Sequence, residues 1–266
     1  MTAAAPLLSV LVPSYNEART LSRVLDAVLA VDVDMELILV DDGSTDATWR
    51  IMSERADGVR VRAHRHAGNR GKGAAVRTAL ADARGEYVLI QDADLEYDPR
   101  DYVKLLEPVV DGRAHIVFGS RPFSAHSSFS YWYVMGNRWL TSAASILYNR
   151  YLTDMQTCYK LMPRRVALAL ELEASGFDID PEITAKLLRL GHRIYEVPIS
   201  YVARTRAEGK KVTVNDGVRA LRTLVRYRFW QPRRALAEPV GGAAAAPTAT
   251  GEDASAGGAR LSMAVV

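Results

Sequence analysis

The sequence predicts an α/β fold, a mostly parallel sheet wrapped in helices, and three observations carry that expectation. Through the first 120 residues, short β-branched runs alternate with helical patterns, the signature of consecutive strand-helix units. Polar clusters follow the first, second and fourth runs, where a parallel sheet collects ligands outside the carboxyl ends of its strands. The composition, 48% hydrophobic and 24% charged over 266 residues, suits one substantial domain.

In order, Leu7 to Val12 reads as a strand, Thr20 to Ala30 as a helix and Glu36 to Val40 as a second strand. Asp46 opens a helix to Arg55 through side-chain capping. Val59 to Ala63 is a strand, Gly73 to Ala83 a helix and Tyr87 to Ile90 a strand. Pro99, with its preset backbone angle, starts a helix to Val110, and His115 to Phe118 is the next strand. From Ser127 to Tyr151 the chain turns apolar and aromatic, with Phe129, Tyr131, Trp132, Tyr133, Trp139, Leu140, Ile146, Leu147 and Tyr148. Two readings stand there, a buried helix or a surface that meets something apolar. Asp180, Pro181 and Glu182 open a helix to Leu190, Arg193 to Val197 is a strand, and a last helix runs from Asn215 to Phe229. Residues 1–230 form the domain. From Pro232 to Val266, 19 of 35 residues are Ala, Gly or Pro and none is aromatic, so residues 231–266 are expected to be a disordered tail that buries too little to offset its ordering entropy.

Several classes are excluded. Cys158 is the only cysteine, so the fold does not rest on disulfides, which points to a reducing compartment. No apolar run reaches the roughly 18 residues that cross a bilayer, and MTAAAPLLSVLVPSYNEAR lacks the basic region and cleavage site of a signal peptide. The chain is expected inside the cell. Lys72 lacks the spacing of a Walker A loop, and the first strand-to-helix turn lacks the glycine fingerprint of dinucleotide-binding domains.

The sharpest local feature is Asp92-Ala93-Asp94 at the end of a strand. Two carboxylates one residue apart can hold a single divalent cation and leave positions open for phosphate oxygens. In Asp41-Asp42-Gly43-Ser44-Thr45-Asp46, Asp42 can accept hydrogen bonds from a nucleobase while Gly43 lets the chain turn. Pro13-Ser14-Tyr15-Asn16-Glu17 offers an aromatic ring, an amide and a carboxylate at the same sheet edge. Asn69-Arg70-Gly71-Lys72-Gly73 places two glycines and two cations before a helix, a reasonable anion site.

In this order PSYNEA, VDDGSTD, NRGKGAA, DADLEYDP and GSR resemble the family-2 inverting glycosyltransferases. The later segments TDMQTCYK, DPEITAKLL, IYEVPISYVARTRAEGKK and NDGVRAL extend the resemblance to about residue 229, nearest to dolichyl-phosphate or polyprenyl-phosphate mannose and glucose synthases. The resemblance implies a GT-A-type, Rossmann-like mixed sheet, with a nucleotide-sugar-binding half over 1–120 and an acceptor-binding half over 121–230. It implies nucleoside contacts from Pro13, Tyr15, Glu17, Val40 and Asp42, with Lys72, Asp92 and Ala93 also at the nucleotide-sugar. Metal carboxylates, for Mg²⁺ or Mn²⁺, fall on Asp92 and Asp94, with Glu96 at the next ligand position. Arg121 and Arg138 match cations that handle phosphates near the acceptor, and Arg206 and Lys210 a basic pair in a closing loop, where Arg204 or Lys211 could substitute. Where relatives often read FGFEPE, this chain has Phe177-Asp178-Ile179-Asp180 before Pro181 and Glu182.

Breaking a bond between sugar and nucleoside diphosphate builds negative charge on the leaving group, which a divalent cation and Lys or Arg can neutralise. Attack from the opposite face inverts the anomeric centre. A phosphate monoester acceptor, with second pKa about 6, needs cations and no base. A hydroxyl acceptor needs a base, for which Glu182 and Asp154 are the candidates; Glu182 is equally a complement to the helix dipole.

Charge hints at a membrane. From Arg204 to Arg234 there are ten Lys or Arg and two acidic residues, in a chain of net charge +3. In the last helix Arg219, Arg222 and Arg226 share one face and Val218, Leu221 and Val225 another, a basic amphipathic element for an anionic leaflet. The expected activity is metal-dependent transfer of a hexose from a UDP- or GDP-sugar to a polyprenyl phosphate, peripherally at the cytoplasmic membrane face. The rivals are a family-2 enzyme acting on a soluble or glycan hydroxyl and a non-catalytic nucleotide-sugar-binding scaffold. No nucleic-acid-binding motif accompanies the basic patch.

Overall fold

In the computed structural model, residues 5–121, 131–204 and 214–232 are described. The strands are β1 (Leu8–Ser14), β2 (Met35–Asp41), β3 (Val61–Arg65), β4 (Tyr87–Ile90), β5 (Val117–Ser120), β6 (Lys160–Pro163) and β7 (Tyr195–Pro198). The helices are α1 (Leu21–Leu29), α2 (Thr48–Arg55), α3 (Lys72–Asp82), α4 (Tyr102–Val110), α5 (Tyr131–Tyr148), α6 (Arg164–Ala169), α7 (Ile179–Arg189) and α8 (Val214–Tyr227). The sheet order is β3-β2-β1-β4-β6-β5-β7. β1, β2, β3 and β4 run parallel, as do β5 and β7, while β6 is antiparallel to both β4 and β5. Every position of β1 and β2 is buried, as expected of central strands covered by helices on both faces.

The expected mixed, mostly parallel sheet is present, with local shifts that have physical causes. The third strand starts at Val61 because the Asp57 carboxylate accepts the N–H groups of Val59, Arg60 and Val61 and holds those residues in a turn. Asp46 accepts from the Thr48 backbone at 2.9 Å and hydroxyl at 2.6 Å, so it caps the turn that delivers α2. Pro99 begins a short 3₁₀ turn that runs into α4, with Asp98 accepting from the Arg100 N–H. β5 sits two residues later than expected, and β7 starts two residues later and ends one later.

β6 has no counterpart in the sequence reading. It is four residues long, ends in proline and carries the fully buried Lys160, whose ammonium reaches Asp180 at 2.9 Å and the Thr157 carbonyl. A lysine in a short run hides the strand periodicity, and only the tertiary partner explains its burial.

One large core occupies both faces of the sheet. A smaller one joins α5, α7 and α8 through Leu140, Ala144, Met155, Ala185, Leu224 and Tyr227. Of the expected disordered tail over 231–266, residues 233–266 lie outside the described residues.

The start of α3 meets the 174–175 segment at a glycine contact. The N–H groups of Gly73 and Ala74 donate to the Ser175 carbonyl at 2.8 and 3.2 Å. A Cβ on Gly73 would stand 2.4 Å from the Ala174 carbonyl oxygen, and Gly71, at φ +92°, would meet Ser175 at 2.2 Å. These glycines therefore permit close backbone approach. Gly73→Ala should cost about 1–3 kcal/mol of stability in urea denaturation; an unchanged midpoint would show that the 174–175 segment yields freely.

Candidate active site

The chain leaves β1 towards β2 and β3 on one side and returns to β4 on the other, so the carboxyl ends of β1 and β4 frame a crevice at the topological switch point. Residues 13–17 and 91–96 enter it. Asn16 at φ +54° and Leu95 at φ +61° take left-handed conformations that cost non-glycine residues energy and mark the two turns of the crevice. Asn16 is held by the Ser44 hydroxyl, which accepts its N–H at 2.9 Å, and by the Thr45 N–H on its amide oxygen at 2.9 Å. The Thr20 hydroxyl laces the turns together by donating to the Ala93 carbonyl at 2.7 Å.

Four carboxylates, Glu17, Asp92, Asp94 and Glu96, gather here around two cations. Lys72 lies 2.8 Å from Asp92 and 3.6 Å from Asp180. Arg204 reaches in from the segment after β7 to Asp94 at 2.5 Å, Glu17 at 3.3 Å and Glu96 at 3.6 Å. Burial works against the Lys72 charge, but Asp92 and Asp180 outweigh it and hold the ammonium well above the usual lysine range. Asp94 shows the residual imbalance: burial, then repulsion from Asp92 and Glu96, push its carboxyl up to about 7, and Arg204 offsets only part.

With all four carboxylates ionised the crevice would carry a formal negative surplus of two, which the proton on Asp94 partly relieves; its hard oxygen donors fit a divalent cation shared with phosphate oxygens. Asp92 and Asp94 are the residues that would hold it. Glu96, expected at the next ligand position, accepts the Tyr201 hydroxyl at 2.7 Å and the Arg204 N–H at 2.9 Å. Among the described residues no three acidic, His or Cys side chains form one coordination group.

Other expected residues fall into place or out of it. Pro13 and Val40 are buried partners across β1 and β2, forming the wall rather than presenting side chains. Tyr15 is half-buried at the β1 end. Asp42 is buried, and its carboxylate accepts from His66 at 2.6 Å, the Arg70 N–H at 2.9 Å and the Gly71 N–H at 2.7 Å. Its visible work is to shape the 66–71 loop. The anion site expected at Asn69 to Gly73 is likewise corrected, because Asp42 and the Ser175 carbonyl already take its backbone N–H groups; Lys72 is the group left facing the crevice.

Arg121, at the end of β5, forms a two-pronged pair with Asp154 at 2.6 and 2.7 Å and lies over the Tyr201 ring at 4.9 Å. Although burial opposes ionisation, Arg121 keeps Asp154 below the usual carboxylate range, with Asn137 of α5 donating at 3.1 Å. The Thr153 and Asp154 N–H groups are in turn fixed by Glu196. Arg138 is exposed on α5. Glu182 is sealed: it pairs with Lys186 at 2.6 Å and accepts the N–H groups of Glu173 and Ala174 at 2.8 and 2.7 Å. It is a scaffold for the 173–176 segment, which corrects its expected catalytic role. Arg206, Lys210 and Lys211 lie outside the described residues.

Arg204 was legible only as a substitute in a basic stretch, and its position in the carboxylate cluster came from the fold. Asn137 and Tyr201 carried no chemical signal in the sequence. Because the folded Asp94 titrates about pH 7 against an ordinary 3.8, the folded state holds its proton longer than the unfolded chain does. In the absence of ligand this group leaves stability untouched below about pH 4 and lowers it as pH rises from 4 to 7. Asp94→Asn should flatten that slope in urea midpoints measured across pH 4.5 to 8; parallel wild-type and variant curves would remove the charge surplus from the account.

Residues 9–169 match the profile described as Glycosyl transferase family 2. The chain is 28% identical over 219 residues to dolichol-phosphate mannosyltransferase of Pyrococcus furiosus, covering 76% of this chain and 58% of that one. It is 32% identical over 237 residues to dolichyl-phosphate beta-glucosyltransferase of Drosophila melanogaster, covering 77% and 69%. The chain spans 58% and 63% of the length of two archaeal relatives. In structure it resembles glucosyl-3-phosphoglycerate synthase from Mycobacterium tuberculosis in complex with uridine-diphosphate, with a TM-score of 0.62 at 23% identity, covering 84% of this chain and 80% of that one. That likeness establishes the GT-A architecture already visible in the strand order. With more than half of its length inside the matched profile, the chain belongs to glycosyl transferase family 2.

Proposed function

We propose that the chain transfers a hexose, with inversion, from a UDP- or GDP-sugar to a polyprenyl phosphate, peripherally at the cytoplasmic membrane face and with Mg²⁺ or Mn²⁺. The observation that carries this reading is the fate of the two candidate bases. Asp154 is locked on Arg121 and Glu182 on Lys186, so both carboxylates are held by cations and neither is placed to take a proton from a hydroxyl. An acceptor that arrives already ionised needs none. The mannosyl- and glucosyltransferase relatives named for dolichyl phosphate support the same acceptor class.

The chain's own groups divide the work. Tyr15, Glu17 and the walls Pro13 and Val40 border the space for the nucleoside, and Lys72 and Arg204 face the diphosphate. Arg121, held rigid by Asp154 and Tyr201, presents charge to the acceptor phosphate. The cation at Asp92 and Asp94 supplies charge neutralisation as the diphosphate departs. Arg204 bridges three carboxylates from the segment that precedes residues 205–213, so metal and donor would free it to grip phosphate. On the acceptor side, Arg219, Arg222 and Arg226 of α8 border a hollow of about 470 Å³ with Ser175, Gly176 and Asp178, a basic flank beside the Lys72 loop. That flank supports attachment to an anionic leaflet. Among the described residues no helix is long and apolar enough to cross a membrane.

The test supplies labelled UDP-glucose or GDP-mannose, Mg²⁺ or Mn²⁺ and a short polyprenyl phosphate. Label should enter the organic phase, and Asp94→Asn should lose about 100-fold or more of that rate with its fold intact; label appearing only on a soluble alcohol would overturn the acceptor. Glu182→Gln separates scaffold from base. It should cost about 3–5 kcal/mol of stability by stranding buried Lys186, while the folded enzyme keeps its turnover within a few-fold. A general base would instead show a loss of about 100-fold or more.

A further inference from the structure

Lys72 is the first residue of α3, and its ammonium sits between two carboxylates, Asp92 at 2.8 Å and Asp180 at 3.6 Å. Beside them lie the Cys158 Sγ at 3.9 Å and the Phe177 ring at 5.9 Å, neither of which carries charge. The two carboxylates have different prospects. Asp92 is one of the residues that would hold a divalent cation, so a bound cation competes for the nearer partner of Lys72. Asp180 stands outside that metal pair and is the carboxylate left to hold the ammonium.

The surroundings of Asp180 suit this task. It is the second residue of α7, where the helix N-terminus favours negative charge, and it is buried. Its two oxygens are divided, with Oδ1 accepting from Lys160 at 2.9 Å and Oδ2 facing Lys72. Lys160 is fully buried and also donates to the Thr157 carbonyl, so its ammonium anchors Asp180 from the protein interior. Burial opposes the Asp180 charge, yet Lys160 and then Lys72 keep its carboxyl below the usual range. Two residues on, Glu182 is already committed to Lys186 and the N–H groups of Glu173 and Ala174. Asp180 is therefore the acidic side chain at the start of α7 that reaches the crevice cation.

A lysine ammonium rides on a flexible stem, and fixing it before a ligand arrives removes that ordering cost from binding. The root of the Lys72 stem is held where the Gly73 and Ala74 N–H groups meet the Ser175 carbonyl. Its tip needs a second hold.

We propose that Asp180 is the positioning residue for Lys72, keeping the ammonium at the crevice when a cation occupies Asp92 and so raising affinity for a nucleoside diphosphate. The proposal deepens the reading of Lys72 as a diphosphate-facing group and rests on it.

The experiment titrates the full chain with UDP and with GDP in a calorimeter, in the presence of Mn²⁺ and without acceptor, so that binding is read apart from turnover. For the nucleotide that binds better, Lys72→Met should weaken affinity about tenfold or more and Asp180→Asn about fivefold, while Asp180→Glu, which keeps the charge, should stay within about twofold of wild type. The decisive variant combines Lys72→Met with Asp180→Asn. It should bind as Lys72→Met does, because a residue that acts through Lys72 then has nothing left to position. Losses that add would make the role of Asp180 purely structural and overturn the proposal. Should Asp180→Asn strand Lys160 and fail to fold, Asp180→Asn with Lys160→Met removes both buried charges and should show the same loss. Wild-type protein that binds neither nucleotide would overturn the diphosphate reading and this proposal with it, whereas binding that Asp180→Asn leaves unchanged overturns this proposal alone.

Discussion

The structure turns on an imbalance of charge where β1 and β4 diverge. Glu17, Asp92, Asp94 and Glu96 are brought together by two turns, and Lys72 and Arg204 neutralise only part of them. Water is largely excluded, so the repulsion appears as an aspartate that keeps its proton up to about pH 7. The surrounding scaffold holds this cluster in place against its own repulsion. The left-handed Leu95 aims the turn, Thr20 bridges it to the β1 side, and Tyr201 with the Arg204 backbone fixes Glu96. A site built in this way gains most from a ligand that brings positive charge, and a phosphate-bound divalent cation has that character.

The opposite logic governs the second half of the chain. Its acidic residues are neutralised one by one: Asp154 by Arg121, Asp180 by Lys160 and Lys72, Glu182 by Lys186. These pairs are buried, where an unpartnered charge would be strongly unfavourable, and their remaining oxygens take backbone N–H groups or an amide. Their shared effect is rigidity around Arg121 and around the 173–176 segment that closes on Gly71 and Gly73. One half of the crevice therefore carries unrelieved negative charge, while the other holds its charges in buried pairs.

α5 links this chemistry to its surroundings. Its inner residues complete the small core with α7 and α8, Asn137 touches the Arg121 and Asp154 pair, and the outer side stays exposed. The aromatic run from Tyr131 to Tyr148 permitted a buried helix or an apolar docking surface; the helix buries Leu140, Thr141 and Ala144 on one side and leaves Trp132, Trp139 and Ile146 exposed. Hydropathy counts apolar residues without saying which of two faces a neighbour covers.

The order of strands and helices through residue 120, the placement of Asp92 and Asp94 at a strand end and the capping by Asp46 were determined by the sequence alone. Each rests on local periodicity or on hydrogen bonds within a few residues, and local physics is written locally. Partners distant in the chain were decided only by the tertiary structure. Arg204 meets Asp94 across 110 positions, the Ser175 carbonyl takes the N–H groups of Gly73 and Ala74 in the loop expected to hold an anion, and β6, which opens on the buried Lys160, pairs antiparallel with β4 and β5. A carboxylate at a helix start has the same local pattern whether it faces substrate or a buried ammonium. What distinguishes the two is the long-range packing that sets its distance from water and from countercharge.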